Sequence, residues 1–133
     1  GLMPLTWHPA HESWGATQFQ RRFEKLTGRG ARDEDYQAWL AVRVIGEAVT
    51  RSGKTDADAI RAYLLSTDFE IAAFKGQKLT FRSWNGQFRQ PILLGDGRIT
   101  VSVSPQDGYL HQHSPLDTLG TDAPETACRA FGG

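Results

Sequence analysis

The sequence is poor in several features that would narrow its function. It holds a single cysteine, Cys128, so an internal disulfide is impossible, and one thiol suits reducing and oxidising compartments equally. Basic and acidic side chains balance at fifteen each, so no overall field attracts nucleic acid or an anionic membrane. No run approaches the roughly 20 apolar residues of a membrane helix, and the first residues lack the basic flank and long apolar stretch of a signal peptide. Any binding must therefore come from a local site.

Motifs for catalysis and cofactor binding are also missing. The sequence contains no serine or cysteine nucleophile motif, no phosphate-binding glycine loop and no paired CxxC. Four histidines, His8, His11, His111 and His113, form two pairs that lie far apart in the chain, whereas a metal needs converging ligands. An acid/base role for His8 or His11 would lack both a nucleophile and a cofactor loop. We therefore expect a protein that is not an enzyme and that uses neither cofactor nor metal.

Periodicity predicts a strand followed by three helices. Residues 2–7 read as a short strand. The segment 13–28 predicts an amphipathic helix that ends at Gly28 and whose inward-facing side carries Phe19, Phe23 and Leu26. A second helix starts at residue 33 and ends at Ser52-Gly53, and a third, capped by Thr55, covers residues 55–67. The order is therefore typical of a mixed α/β chain.

Strand and turn signals follow the helices. Residues 78–84 and 87–94 flank Asn85-Gly86, a strong signal for a two-residue hairpin, and Asp96-Gly97 leads into residues 98–104. These segments predict a three-stranded antiparallel meander. The polar, proline-containing segment 106–133 predicts an extended or disordered tail.

The second helix is apolar over most of its circumference from Tyr36 to Val49. Such a helix needs neighbours on nearly all sides, so Gly46 in its middle predicts close packing by another element. Among the four tryptophans, Trp14 and Trp39 lie on helix faces and are expected to be buried. Trp7, at a strand end beside His8, is expected near a cleft.

An acidic run, Asp33, Glu34 and Asp35, opens the second helix. Carboxylates in a first turn interact favourably with the helix dipole. They could also contact a ligand from the helix N-terminus or work as paired acid/base groups, and the sequence supplies no partner that would raise one carboxylate's pKa.

The order of the segments resembles the C-terminal part of a known family of transport receptors. The segments that carry this resemblance are GLMPLTW, YQAWLAVRVIGEAVTRSG, DADAIRAYL and FEIAAFKGQKLTFRSWNGQFRQPILL. Over residues 1–105 they are similar to a type I periplasmic solute-binding protein of an ABC transporter, of the branched-chain amino acid receptor kind. The last of them most resembles the variety associated with pyrroloquinoline-quinone-dependent alcohol oxidation.

The resemblance implies an α/β fragment of a two-lobed receptor that captures a small molecule between its lobes. Residues 1–31 would belong to the second lobe, residues 32–78 to helices of the first lobe, and residues 79–105 to strands that cross the hinge. GLMPLTW would then be an internal strand, with a signal peptide and most of both lobes upstream. A periplasmic location and a membrane permease as partner follow from the same resemblance.

By position, the resemblance assigns ligand contacts to Glu34, Asp35 and Tyr36, with Trp7 and His8 as further candidates. A carboxylate at Glu34, where the branched-chain receptors tend to carry an apolar residue, favours a polar or cationic ligand or a metal complex. The isolated chain is expected to form a homo-oligomer or to be a piece of a longer polypeptide. The alternative hypothesis is a self-contained interaction module that docks the apolar helix 36–49 on a protein partner.

Overall fold

A computed structural model describes residues 1–11, 13–128 and 130–131 and shows a mixed α/β chain with two small antiparallel sheets. The elements are β1 (Met3–Leu5), α1 (Trp14–Thr27), α2 (Asp33–Ser52), α3 (Ala57–Leu64), β2 (Ile71–Ala72), β3 (Lys78–Phe81), β4 (Phe88–Arg89), β5 (Ile92–Gly95) and β6 (Thr100–Ser104), followed by 3-10 helices at Pro115–Thr118 and Ala123–Glu125. Within the described ranges, no helix is both long enough and apolar enough to cross a membrane.

The predicted ends of α1 and α2 are confirmed by their capping geometry, whereas α3 is shorter than predicted and is capped by Asp56 instead of Thr55. Ser13 Oγ accepts the N–H of Ala16 at 3.1 Å and so satisfies a free donor at the start of α1. Gly28 and Gly53 follow α1 and α2 in the left-handed conformation, with φ of 74° and 66°. Glycine adopts this conformation without a Cβ penalty, which is why both helices stop there.

The predicted three-stranded meander is wrong, because its strands belong to two sheets. One sheet has the order β1-β5-β6 and the other the order β2-β3-β4. The expected hairpins β3–β4 and β5–β6 are present, but β5 pairs with β1 instead of β4. Pro91 has no N–H to donate to a ladder, and the single strand expected over residues 87–94 is divided at this point.

The turn at Asn85-Gly86 also differs from the prediction. Arg82 donates its N–H to the carbonyl of Gln87 at 2.8 Å, and Gly86 donates to the carbonyl of Arg82 at 2.8 Å. The loop between the paired residues therefore has four residues instead of two. Asn85 Oδ1 accepts the N–H of Gln87 at 2.9 Å and closes the loop locally.

The core lies between α1, α2, the end of β1 and the sheet β2-β3-β4. Its buried apolar side chains include Trp7, Phe19, Ala31, Tyr36, Leu40, Val44, Phe69, Ile71, Ala73 and Leu79. In α2 the buried residues recur at every fourth position, Tyr36, Leu40, Val44 and Ala48, so this helix buries one stripe.

The opposite side of α2 is exposed, so the expectation that this helix has neighbours on nearly all sides is wrong. Val42 and Ile45 are 74% and 54% exposed. A Cβ added at Gly46 would meet no described atom within 4 Å, so no element packs closely there. The sequence pattern overestimated burial because apolar residues occur on both sides of the helix and only one side faces the core.

Two further burial predictions on α1 are wrong. Trp14 is 81% exposed and Leu26 is 85% exposed, although both were expected to face inward. They lie in the first and last turns of α1, whereas Ala16 and Phe19 are its buried residues. Trp39, which was expected to be buried, is half-buried against the core.

The predicted extended or disordered tail is wrong for the segment around Asp117, which is anchored to β3 and β4. Asp117 Oδ1 accepts hydrogen bonds from Arg82 Nε and Arg89 Nε, both at 2.8 Å, and all three side chains are largely or fully buried. Arg82 also donates through Nη2 to the carbonyls of Leu116 and Leu119. We refer to Arg82, Arg89 and Asp117 as the clasp.

Candidate functional site

The two aromatic residues assigned to the site meet where β1 ends and α2 begins. The rings of Trp7 and Tyr36 are stacked, with centroids 4.7 Å apart and an interplanar angle of 12°. Phe19 packs edge-on against Trp7 at 4.8 Å. Because Trp7 is 1% and Tyr36 0% exposed, the two rings belong to the core. The expectation that Trp7 lies near a cleft is therefore wrong.

Asp33 connects the end of β1 to the start of α2. Its Oδ1 accepts the backbone N–H of Thr6 at 2.6 Å, the Thr6 hydroxyl at 2.6 Å and the N–H of Trp7 at 2.8 Å. Burial alone would raise the pKa of Asp33, but these hydrogen bonds and one from Gln37 hold it below its usual value. Asp33 was not assigned to the site from the sequence, although it opens the acidic run.

Lys75 is a buried cation that the sequence analysis missed. Its Nζ donates to Gln90 Oε1 at 2.9 Å and to the carbonyl of Pro91 at 3.1 Å, and it lies 4.9 Å from the centroid of the Tyr36 ring. The Tyr36 hydroxyl donates to the carbonyl of Ala73 at 2.6 Å. Burial lowers the pKa of Lys75 to about 7. We refer to Trp7, Asp33, Tyr36 and Lys75 as the junction.

A signal for Lys75 was present in the sequence. Phe69, Ile71 and Ala73 are buried at every second position, and Lys75 continues that alternation. A lysine in register with an apolar face is a candidate for burial. Next to it, Phe74 has a φ of 61°, a conformation that costs a residue other than glycine free energy and that the surrounding packing must hold.

The acidic residues assigned to the site differ in their surroundings. Arg29 donates to both oxygens of Asp35 at 2.6 and 2.9 Å, and the Arg32 N–H donates to the same carboxylate at 2.9 Å. The hydrogen bond from Arg29 is the main reason that the pKa of Asp35 falls to about 2. Glu34 is exposed on the outside of the same helical turn. Asp35 therefore stabilises the N-terminus of α2 by accepting the N–H of its N-cap residue, Arg32.

The first two histidines are close to the junction. His8 is buried, and its Nδ1 accepts the N–H of Ala10 at 3.1 Å, which is a local turn contact. The pKa of His11 is lowered by burial first and by the charges of Lys75 and His8 second. Burial therefore favours the uncharged form both of the His11 imidazole, which lies beside the junction, and of the Lys75 amine.

The histidines do not assemble into a metal site. His111 lies in the C-terminal segment, where its Nε2 is 2.9 Å from Asp122 Oδ2, and its ring is 6.1 Å from that of His113. In the part of the chain that the structure describes, no three histidine, cysteine or acidic side chains are grouped closely enough to hold a metal.

An open groove between α1 and α2 runs along the outer side of the aromatic core. It encloses about 360 Å³, within the size range of small-molecule sites. Its aromatic walls are Phe19, Phe23, Trp39 and Phe74, and its charged side chains are Arg22 and Arg43. Leu26 and Ala72 complete the lining. None of the five residues assigned to the site from the sequence lines this groove, although Tyr36 touches its inner wall through Phe19 and Trp39.

Comparisons with known proteins give no family for this chain. No protein-family model, no curated protein and no solved structure matches it.

Proposed function

We propose that this chain is the C-terminal part of a type I periplasmic solute-binding protein that captures a small molecule between two lobes for an ABC importer. The observation that carries the proposal is the groove between α1 and α2. By the resemblance in sequence order, α1 belongs to the second lobe and α2 to the first. A ligand in the groove would therefore touch both lobes where they pack together through Phe19, Tyr36 and Trp39.

The lining of the groove supports binding in preference to catalysis. Its side chains are four aromatic rings, two guanidinium groups and two aliphatic groups. Aromatic and apolar surface supplies binding free energy, and a few polar groups orient the ligand. Among the described residues, the lining includes no hydroxyl, thiol, carboxylate or imidazole that could act as nucleophile or as general acid and base.

Lys75 supports the proposed hinge. The chain leaves β4 for β5 through Gln90 and Pro91, and both residues accept a hydrogen bond from Lys75 Nζ. Residues 79–105 were assigned to hinge-crossing strands, so Lys75 would join the first lobe to that crossing. A periplasmic location, a membrane permease as partner, and a role beside pyrroloquinoline-quinone-dependent alcohol oxidation belong to the same proposal.

A groove-filling variant tests this function. Four probes, 2-naphthoate, 2-naphthylmethylamine, 2-naphthamide and leucine, cover acidic, basic, neutral and zwitterionic ligands, and binding is measured by titration calorimetry. We expect at least one probe to bind, and Ala72→Trp to abolish its binding because the indole fills the groove. Ala41→Trp, at an exposed position of α2 outside the lining, is the control. If no probe binds, or if Ala72→Trp has no effect on any of them, the proposal is wrong.

The alternative, a protein-interaction module, is favoured by one observation. Val42 and Ile45 form an exposed apolar face on α2, and such a face on a soluble chain often marks an interface. In that hypothesis a protein partner covers the helix 36–49, and the chain does not respond to a small molecule. We take a second copy of the chain as this partner, so the isolated chain self-associates through this face and Val42→Lys with Ile45→Lys restores a monomer. Native mass spectrometry over a range of concentrations measures this, and a wild-type chain that is monomeric throughout contradicts it.

A further inference from the structure

The charge of the groove narrows the class of ligand, provided that the proposed small-molecule function holds. Arg22 comes from α1 and Arg43 from α2, so each wall supplies one guanidinium group. The remaining lining residues carry no charge. A ligand between the two helices therefore meets positive charge from both sides.

Neither guanidinium group is held firmly by an acidic side chain. Among the described residues, Arg22 has no ion-pair partner within 4.0 Å. Arg43 Nη2 lies 3.3 Å from one oxygen of Glu47, whose other oxygen pairs with Arg51 at 2.7 Å. Both arginines are exposed, so each can turn toward a ligand without breaking a strong contact.

The aromatic walls favour a planar ligand. Phe19, Trp39 and Phe74 form a triangle of ring centroids 5.0 to 5.7 Å apart, with interplanar angles of 31° to 55°. Tilted rings offer both faces and edges, and a flat ring can pack against them in offset or edge-on geometry. Because Trp39 and Phe74 are only half-buried, part of this surface is open to a ligand.

We infer that the groove binds a planar aromatic carboxylate, with its ring against Trp39 and Phe74 and its carboxylate between Arg22 and Arg43. Guanidinium groups match carboxylate geometry and bind it through paired hydrogen bonds. A zwitterionic amino acid would leave its ammonium group without an acidic partner in this lining, and a cationic ligand would meet two like charges. The lining thus opposes the cationic ligand expected from Glu34, which is exposed and lies outside the groove.

The decisive experiment compares 2-naphthoate with its neutral amide, 2-naphthamide, by titration calorimetry on the whole chain. We expect 2-naphthoate to bind at least about tenfold more tightly than the amide, because charge-assisted hydrogen bonds are the stronger kind. Arg22→Gln and Arg43→Gln should each weaken 2-naphthoate by about tenfold and leave the amide unchanged. Arg21→Gln, one residue away on α1 and outside the lining, is the matched control, and circular dichroism checks that every variant is folded.

The outcomes separate this inference from the function on which it rests. If the amide binds as tightly as 2-naphthoate, or if both arginine variants keep full affinity while Ala72→Trp abolishes it, the groove is a small-molecule site and the carboxylate inference is wrong. Tighter binding of 2-naphthylmethylamine or leucine in the groove also overturns the inference alone. If 2-naphthoate alone binds equally to Ala72→Trp, it binds outside the groove and only the inference falls. If none of the four probes binds, or if Ala72→Trp has no effect on any probe that binds, both the inference and the proposed function fall.

Discussion

The junction and the clasp each bury a charged side chain, but they compensate its charge in different ways. At the junction, Lys75 is 7% exposed and contacts an amide oxygen, a carbonyl oxygen and an aromatic ring, none of which carries a full negative charge. The charge of the Asp33 carboxylate raises the pKa of Lys75 but does not outweigh the effect of burial. At the clasp, Asp117 is 1% exposed and meets two guanidinium groups. Opposite charges that also form hydrogen bonds compensate a buried charge more strongly than dipoles do.

Because of this difference, the contributions of the two regions to the free energy of unfolding change over different pH ranges. Burial would raise the pKa of Asp117, but its bonds and charges with Arg89 and Arg82 lower it overall. The contribution of Asp117 is therefore complete above the ordinary carboxyl pKa of about 3.9 and is lost as the pH falls through the folded value. For Lys75 the unfolded chain binds more protons between pH 7 and 10.5, so stability rises with pH across that window.

The largest effect is expected for Asp117→Asn. The substitution leaves two buried guanidinium groups without a counter-charge, which should lower the free energy of unfolding by about 3–5 kcal/mol. Urea denaturation at pH 7 measures the loss, and limited proteolysis should show earlier cleavage of the segment after residue 105. The control is Asp122→Asn, whose carboxylate pairs with His111 at a more exposed place. An equal, small loss in both variants would mean that the clasp is not a distinct centre of stability.

A pH titration of Lys75→Met tests the junction. In the wild type, the free energy of unfolding should rise by about 2 kcal/mol between pH 7 and pH 9 from Lys75 alone. The variant should lose this rise, since methionine has no proton to release. Urea denaturation at the two pH values gives the slope. Lys78→Met is the control, because Lys78 is exposed and paired with Glu70 at 2.6 Å, and its slope should match the wild type. A wild-type slope in Lys75→Met would contradict a buried, poorly compensated amine.

A smaller effect is expected for Tyr36→Phe, which removes a neutral hydrogen bond from the same region. The carbonyl of Ala73 would lose its buried donor at 2.6 Å, at a cost of about 1.5 kcal/mol. Because burial raises the pKa of the Tyr36 hydroxyl, the loss should be the same at pH 7 and pH 9. Tyr109→Phe, at an exposed position, should change stability very little. A loss that varies between the two pH values would show that Tyr36 and Lys75 titrate together.

Local patterns predicted the ends of α1 and α2 because the causes of those ends are local. Ser13, Gly28 and Gly53 act within one turn of the chain, so the sequence beside each boundary is sufficient. The pairing of β5 with β1 joins segments about ninety residues apart, and no local pattern indicates it. The clasp was not predicted for the same reason, because the Asp117 carboxylate contacts arginines that lie 28 and 35 residues away in the sequence.

The candidate site was only partly accessible from the sequence. The resemblance assigned Trp7 and Tyr36 to one ligand site, and their rings are stacked in the structure. Their burial was not predicted, because it depends on Phe19 and the rest of the core. The groove was missed because it forms from two helices that contribute residues about twenty positions apart, such as Arg22 and Arg43. Each arginine alone reads as an ordinary exposed side chain.

Gly46 lies outside both regions and tests the exposed side of α2, with the smallest effect of the four. A Cβ there would meet no described atom, so Gly46→Ala should raise the free energy of unfolding by about 1 kcal/mol through helix propensity alone. Thermal and urea denaturation measure the gain. Ala41→Gly, at another exposed position of α2, should give a loss of similar size. If Gly46→Ala is instead destabilising, an element packs against this face in solution. The side of α2 that carries Val42 and Ile45 would then be buried in solution, and apolar contacts would stabilise it, in contrast to the dipoles at the junction and the opposite charges at the clasp.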